Sequence, residues 1–120
     1  MQRIKHPNDI KRPLRAVYCA ICGLKSVFKD EIAFKQEVLL SIAVIPLALV
    51  FGATAVEKAI LIGSWFLVLL VEIINSAIEA IVDRVSLEFH PLSKKCKDIG
   101  AAAVLLSIVN AITIWTIILF

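Results

Sequence analysis

Glu72, Asn75, Glu79 and Asp83 stand in a run that is otherwise almost wholly apolar, from Ala59 to Val85. An ionised carboxylate in hydrocarbon costs several kcal/mol, so acidic groups in such a run mark protected, working positions. At about 100° per residue, offsets of 3, 7 and 11 place all four side chains within roughly 80° on a helix. They form one face. Glu72 lies about 16 Å along the helix axis from Asp83, deep enough to meet a hydroxyl carried by a lipid. A partly desolvated Glu at that depth suits a general base.

Other polar groups gather at the same membrane boundary. Glu31 and Glu37 precede the first apolar run, and Lys94, Lys95, Lys97 and Asp98 open the third. Carboxylates, an amide and a lysine at one boundary suit a metal–phosphate site. Mg²⁺ prefers oxygen ligands and is commonly held by one or two carboxylates plus substrate phosphates. A lysine neutralises charge on a transferred phosphoryl group. There is no G-x-x-x-x-G-K-[ST] or G-x-G-x-x-G, and the chain has 4 glycines in all, so no soluble nucleotide-binding loop is present. On these residues alone three readings stay open: a membrane enzyme, an ion-coupled carrier using the acidic stripe as a pathway, and a scaffold with polar glue between helices.

These groups must be positioned by membrane helices. The chain has 120 residues, 60% of them hydrophobic, against a usual share of roughly 45–50% in soluble domains. It is expected to form a single domain, residues 1–120, of all-α membrane architecture: an amphipathic surface helix over about 12–30 and transmembrane helices over about 35–53, 57–83 and 97–120. Residues 1–11 read as frayed. Pro13 suits a first helical turn, and Leu14, Val17, Ile21, Leu24 and Phe28 recur at spacings of 3 and 4, which describes a helix lying in the interface. Pro46 falls inside the first span, where a kink is tolerated. His90-Pro91 is a turn signal. Gly100 to Ala103 are small and permit close helix approach, Asn110 is expected to hydrogen-bond across helices, and Trp115 to sit at the outer interface.

Of 13 Lys and Arg residues, eight precede Val38 and four lie between Arg84 and Lys97. By the positive-inside rule both regions are cytoplasmic, and the loop around Lys58 faces outward. Beside lipid such residues set topology or hold anionic head groups, so a nucleic-acid partner is not expected. No apolar h-region opens the chain, and the first span is expected to act as an uncleaved insertion signal. Cys19, Cys22 and Cys96 fall on the reducing side, and one C-x-x-C without a second pair reads as small helix-surface residues. Three thin spans cannot by themselves shield Glu72, Glu79 and Asp83 from lipid, so a homo-oligomer is expected. Glu57 and Lys58 read as a solvated loop, Glu88 and His90 as loop and turn residues, Glu37 as an interfacial charge, and Asp83 as a helix-end carboxylate.

Three segments carry a family resemblance: Glu31-Ile-Ala-Phe-Lys-Gln-Glu37, Val71-Glu-Ile-Ile-Asn-Ser-Ala-Ile-Glu-Ala-Ile-Val-Asp-Arg84 and Lys97-Asp-Ile-Gly-Ala-Ala-Ala-Val104. Together they resemble the bacterial integral-membrane diacylglycerol kinases, from about Arg12 to Phe120. The resemblance implies a homotrimeric helical bundle in the inner (cytoplasmic) membrane, amino terminus cytoplasmic, with active sites shared between subunits. It implies Mg²⁺ with ATP as phosphoryl donor and diacylglycerol as acceptor, giving phosphatidic acid. By position, Glu72 resembles the general base and Glu31 and Glu79 the metal ligands. Asn75 and Lys97 would contact phosphates, with Asp98 and Arg12 supporting the nucleotide and Arg15 and Tyr18 nearby. A related branch phosphorylates undecaprenol. Ser76 and Asp83-Arg84 are similar to the diacylglycerol branch and His90-Pro91-Leu92 to the undecaprenol branch; the core helix outweighs the loop, and diacylglycerol is the expected acceptor.

Overall fold

The computed structural model describes residues 10–120. The charges of Arg3 and Lys5, and the fraying expected over positions 1–9, lie outside the described residues. Four helices follow in order: α1 (Arg12–Asp30), α2 (Ile32–Phe51), α3 (Ala55–Val85) and α4 (Pro91–Leu119). No strand occurs among the described residues. The helices α2, α3 and α4 are each long and apolar enough to cross a membrane.

Helix α1 buries none of its residues. It ends at Glu31, whose extended backbone (φ −107°, ψ 110°) caps α1 and opens α2 at once. The Glu31 N–H donates to Val27 O at 2.8 Å, and Lys35 N–H donates to Glu31 O at 3.1 Å. A single non-helical residue therefore joins two helices, and the Lys35 ammonium lies 5.5 Å from the Phe28 ring centre across the corner, a cation–π contact. This cap is why α2 begins at Ile32, ahead of the expected position 35.

Helix α2 has 20 residues, about 30 Å, matching the hydrocarbon core. Pro46 lies within it. The chain reverses over Gly52 to Thr54. A side chain at Gly52 would meet Lys58 Cγ at 2.6 Å and Ala48 O at 2.9 Å, so the tight reversal requires glycine there. The Thr54 hydroxyl accepts from Glu57 N–H at 3.1 Å, and the Glu57 carboxylate accepts from Ala53 N–H at 2.7 Å. Glu57 is thus part of a reciprocal helix cap, where the sequence suggested only a solvated loop.

Helix α3, with 31 residues, is about 46 Å long and overreaches the roughly 30 Å hydrocarbon layer. Its excess is the end that carries Glu79 and Asp83. Helix α4 starts at Pro91, six residues before the expected 97, because His90 Nδ1 accepts from Leu92 N–H at 3.1 Å and Pro91 fills the first turn. The turn signal was a helix start.

Helix α4 packs most extensively on α3, burying Gly100, Ser107 and Ala111 against it. Two indoles tie the spans together. Trp65 Nε1–H donates to Ser41 Oγ at 2.7 Å, joining α3 to α2, and Trp115 Nε1–H donates to Ser64 Oγ at 3.1 Å, joining α4 to α3. The Trp115 indole therefore serves a helix contact in addition to its place near the end of its span. Asn110, expected to bond across helices, makes no hydrogen bond within the described residues; it is half-buried in a groove with Leu67 and Val71. Its helix buries smaller residues instead, Ser107 about one turn before it and Ala111 directly after it.

Replacing Thr54 by Ala removes the α3 cap and is expected to lower stability by about 1 kcal/mol, while Ser at 54 leaves it nearly unchanged. Thermal unfolding of both variants in detergent checks this; equal stability of all three proteins would show that the cap contributes nothing.

Candidate active site

The polar face of α3 is arranged by depth. Glu72 is its buried member, 7% exposed. One chain therefore encloses Glu72, where the expectation was that shielding the stripe requires a second copy; α3 packs against both α2 and α4. Glu79 is half-buried and Asp83 exposed, so only the outer part of the stripe is left uncovered. The charges of Glu31 and Glu79 act on Glu72.

Asn75 lies between the two glutamates. Its Nδ2–H donates to Glu79 Oε1 at 3.3 Å, so the amide holds the Glu79 carboxylate in place. Its Oδ1 is buried without a partner. Gly100 on α4 makes this fit possible: a Cβ built there collides with the Asn75 amide oxygen and comes within 3.3 Å of its Cγ. The small residue at 100 is the reason α4 approaches the polar face this closely.

At the wet end, Lys97 Nζ donates to Asp83 Oδ1 at 2.7 Å across the α3–α4 seam. The charge of Glu79 also acts on Lys97. Asp83, read from sequence as a helix-end carboxylate, is in fact the partner of the candidate phosphate lysine. Asp98 pairs with Lys94 at 2.6 Å on the exposed side of α4. Arg12, Arg15 and Tyr18 lie on the exposed first half of α1. None of the three lines either of the cavities beside the stripe.

Two cavities flank the polar face. An open cleft of about 620 Å³ lies between the second half of α1 and α3, with Gly23, Leu24, Val27 and Ala77 on its walls and Glu31 at its polar edge. Ile73 and Ser76, beside Glu72 on α3, also line it. A smaller, polar pocket of about 250 Å³ lies under the α3–α4 loop and gathers Asp83, Glu88, His90, Lys94 and Lys97. Glu88 and His90 were read as loop residues. The only signal in the sequence was their place between two helices whose polar ends converge. No three His, Cys, Asp or Glu side chains among the described residues form a group able to hold a metal alone.

The chain matches the prokaryotic diacylglycerol kinase family over residues 18–119. The chain belongs to that family. It is 44% identical over 115 residues to the diacylglycerol kinase of Pseudomonas aeruginosa, covering 96% of this chain and 94% of the relative. It is 43% identical over 98 residues to that of Escherichia coli K12, covering 82% and 80%. The diacylglycerol kinase of Helicobacter pylori shares 41% over 108 residues, covering 90% and 84%. Membership of a kinase family sets aside the ion-carrier and scaffold readings. The undecaprenol alternative is not favoured, since these relatives carry the diacylglycerol name.

The contact between Gly100 and Asn75 yields a direct test. Gly100→Ala forces the Asn75 amide off Glu79, and kinase activity is expected to fall by about tenfold or more, as small misplacements at a reacting centre do. Helical content by circular dichroism should stay unchanged. Undiminished activity would show that the Asn75–Glu79 bond is dispensable.

Proposed function

We propose that this chain is a diacylglycerol kinase that transfers the γ-phosphate of ATP to the free hydroxyl of diacylglycerol, giving phosphatidic acid and ADP at the cytoplasmic face of the inner membrane. The observation that carries this reading is the graded polar face of α3: an enclosed Glu72, an Asn75–Glu79 pair above it, and Lys97 at the wet end, in a chain of this family.

The α1–α3 cleft suits the lipid. Its walls are apolar and small, and it runs along the side of α3 that holds Ile73 and Ser76, next to Glu72. The polar pocket beside Lys97 suits the nucleotide, with Lys94 and Lys97 to meet phosphate and Glu88 and His90 available to a nucleoside. Glu72 takes the proton of the lipid hydroxyl. The oxygen then attacks the γ-phosphorus, a new P–O bond forms, and the bond to the ADP oxygen breaks. Lys97, half-exposed and held by Asp83, is poised to share its ammonium with the γ-phosphate. Asp98, with Arg12, supports the nucleotide, and Arg15 and Tyr18 stand nearby on α1.

The donor set fits Mg²⁺. It is all oxygen, and Glu31 and Glu79 both press negative charge on Glu72, a crowding that a cation relieves. Glu31 and Glu79 would hold it together with phosphate oxygens, which explains why no protein-only cage is required. When bound, it neutralises charge on the phosphates.

Exposed groups at the polar end support a homotrimer with shared sites. Arg12 and Tyr18 are exposed on α1, and Glu79 keeps an uncovered side. A neighbouring subunit would bring the first set to the second. Helix α1, with its apolar Leu14, Val17, Ile21, Leu24 and Phe28 exposed, would lie in the cytoplasmic interface, and Arg84, Lys94, Lys95 and Lys97, on the helix ends that flank the α3–α4 loop, support the same side for that loop.

Purified protein in mixed micelles with labelled ATP is expected to phosphorylate diacylglycerol in clear preference to undecaprenol; the reverse preference would reject the acceptor. Glu72→Gln is expected to lower kcat by about 10²–10⁴-fold with little change in KM for ATP, as loss of a general base does. Activity retained in Glu72→Gln would remove Glu72 from the chemical step.

A further inference from the structure

Glu37 takes no part in the steps above, yet its Oε2 is enclosed without a hydrogen-bond partner, and so is Oε2 of Glu72. The two belong to helices that pack against each other, α2 and α3. Their relative height is fixed by the Trp65–Ser41 bond, and Ser41 Oγ donates in turn to Glu37 O at 3.0 Å. From Ser41, Glu37 is one helical turn toward the Glu31 end. From Trp65, Glu72 is two turns in the same direction. Spacings of four and seven keep each carboxylate on the face that makes the bond. The axial offsets, about 6 Å and about 10 Å, differ by less than two glutamate side chains can span.

An ionised carboxylate only accepts hydrogen bonds. Two enclosed carboxylates facing each other repel and leave both oxygens unsatisfied, a full desolvation cost for each. A single proton between them removes both penalties, because one carboxyl becomes a donor to the other. The nearest donor on the same face, the Asn75 amide, is engaged by Glu79. Glu31 and Glu79, which also act on Glu72, are carboxylates, and Lys97 is bonded to Asp83. Among the enclosed, unpaired atoms Glu72 is represented by Oε2 and not by Oε1. One oxygen is turned inward and the other is left toward open space.

We propose that Glu37 is a positioning residue for the base: with one proton shared between the two carboxyls, Glu37 hydrogen-bonds the enclosed Oε2 of Glu72 and so aims the other Glu72 oxygen at the acceptor hydroxyl. The proposal rests on Glu72 being the base. It assigns Glu37 no contact with substrate and no net transfer of a proton. The hydroxyl proton goes to the outward oxygen of Glu72, and the shared proton stays between the two carboxyls.

Glu37→Gln and Glu37→Ala separate a donor from a charge. The amide of Gln still donates, so Glu37→Gln is expected to keep kcat within about threefold of the native protein. Glu37→Ala leaves Glu72 unpaired and is expected to lower kcat by about 10–100-fold, with KM for ATP unchanged. Infrared spectroscopy supplies a second readout. The C=O stretch of a neutral carboxyl should be present in the native protein and in Glu72→Gln, and lost in Glu37→Gln even where Glu37→Ala does not fold. A Glu37→Gln protein as impaired as Glu37→Ala, a Glu37→Ala protein with native kcat, or a neutral-carboxyl band that survives Glu37→Gln would each overturn the proposal. Native activity in Glu72→Gln would overturn the base assignment and this proposal with it. An inactive Glu72→Gln beside a fully active Glu37→Ala would overturn the positioning role alone.

Discussion

Glu72 sits well inside an apolar helix, where no water is available to satisfy it, and the packing of α2 and α4 on α3 answers to that constraint. Each neighbour is locked by a hydrogen bond that makes sense only in a dry seam. Trp65 reaches Ser41 on α2, and Trp115 reaches Ser64 from α4. Each bond gives an indole N–H and a serine hydroxyl a partner that lipid cannot provide. They also fix helix height to within a fraction of a turn. With that height set, Gly100 falls opposite Asn75, and α4 closes over the polar face at the one level where it carries no side chain. A side chain there would meet the Asn75 amide first and displace it from Glu79.

The length of α3 turns one helix face into a gradient. At about 46 Å the helix exceeds the hydrocarbon layer by roughly three turns, and its polar residues run from enclosed Glu72 through half-buried Asn75 and Glu79 to exposed Asp83. A reaction between a water-soluble nucleotide and a lipid alcohol has the same polarity. Its base must reach a hydroxyl at the lipid level, and its cationic groups must meet phosphates at the water level. The Lys97–Asp83 pair is half-exposed and contributes little to stability on that account. Its effect is placement: it holds the Lys97 ammonium beside the stripe.

What the sequence made legible was set by periodicity. The α3 stripe follows from 3.6 residues per turn and an apolar background, so its face and depth order could be read directly. The interface between α3 and α4 was visible in part, because a run of small residues beginning at Gly100 signals close approach. Helix ends were less legible, since they depend on caps. His90 and Pro91 open α4, and Thr54 with Glu57 opens α3, but each pair also fits a turn or a solvated loop. Pairings across elements were hidden altogether. Nothing in a linear chain shows that Lys97 selects Asp83 over its neighbour Asp98, or that Trp65 finds Ser41. Those choices depend on loop lengths and helix height. Asn110 shows the opposite failure: an amide in a span invites a cross-helix bond, and the chain satisfies that seam with Ser107 and Ala111 instead.

Enclosure of Glu72 within one chain changes what a second copy is for. If shielding the base required a neighbour, a lone chain would be destabilised by a bare carboxylate, and assembly would be obligatory for folding. The packing of α2, α3 and α4 removes that requirement at the level of Glu72. What one chain leaves open lies nearer water: an uncovered side of Glu79, and Arg12 and Tyr18 exposed on α1. In the proposed reading these surround a polyanion and its cation, where missing charge complementarity costs affinity more than stability. In the proposed trimer, then, the deep half of each site is a property of a single chain and the nucleotide half a property of the assembly. Base placement depends on the α2–α3 seam and nucleotide capture on how α1 meets the next subunit.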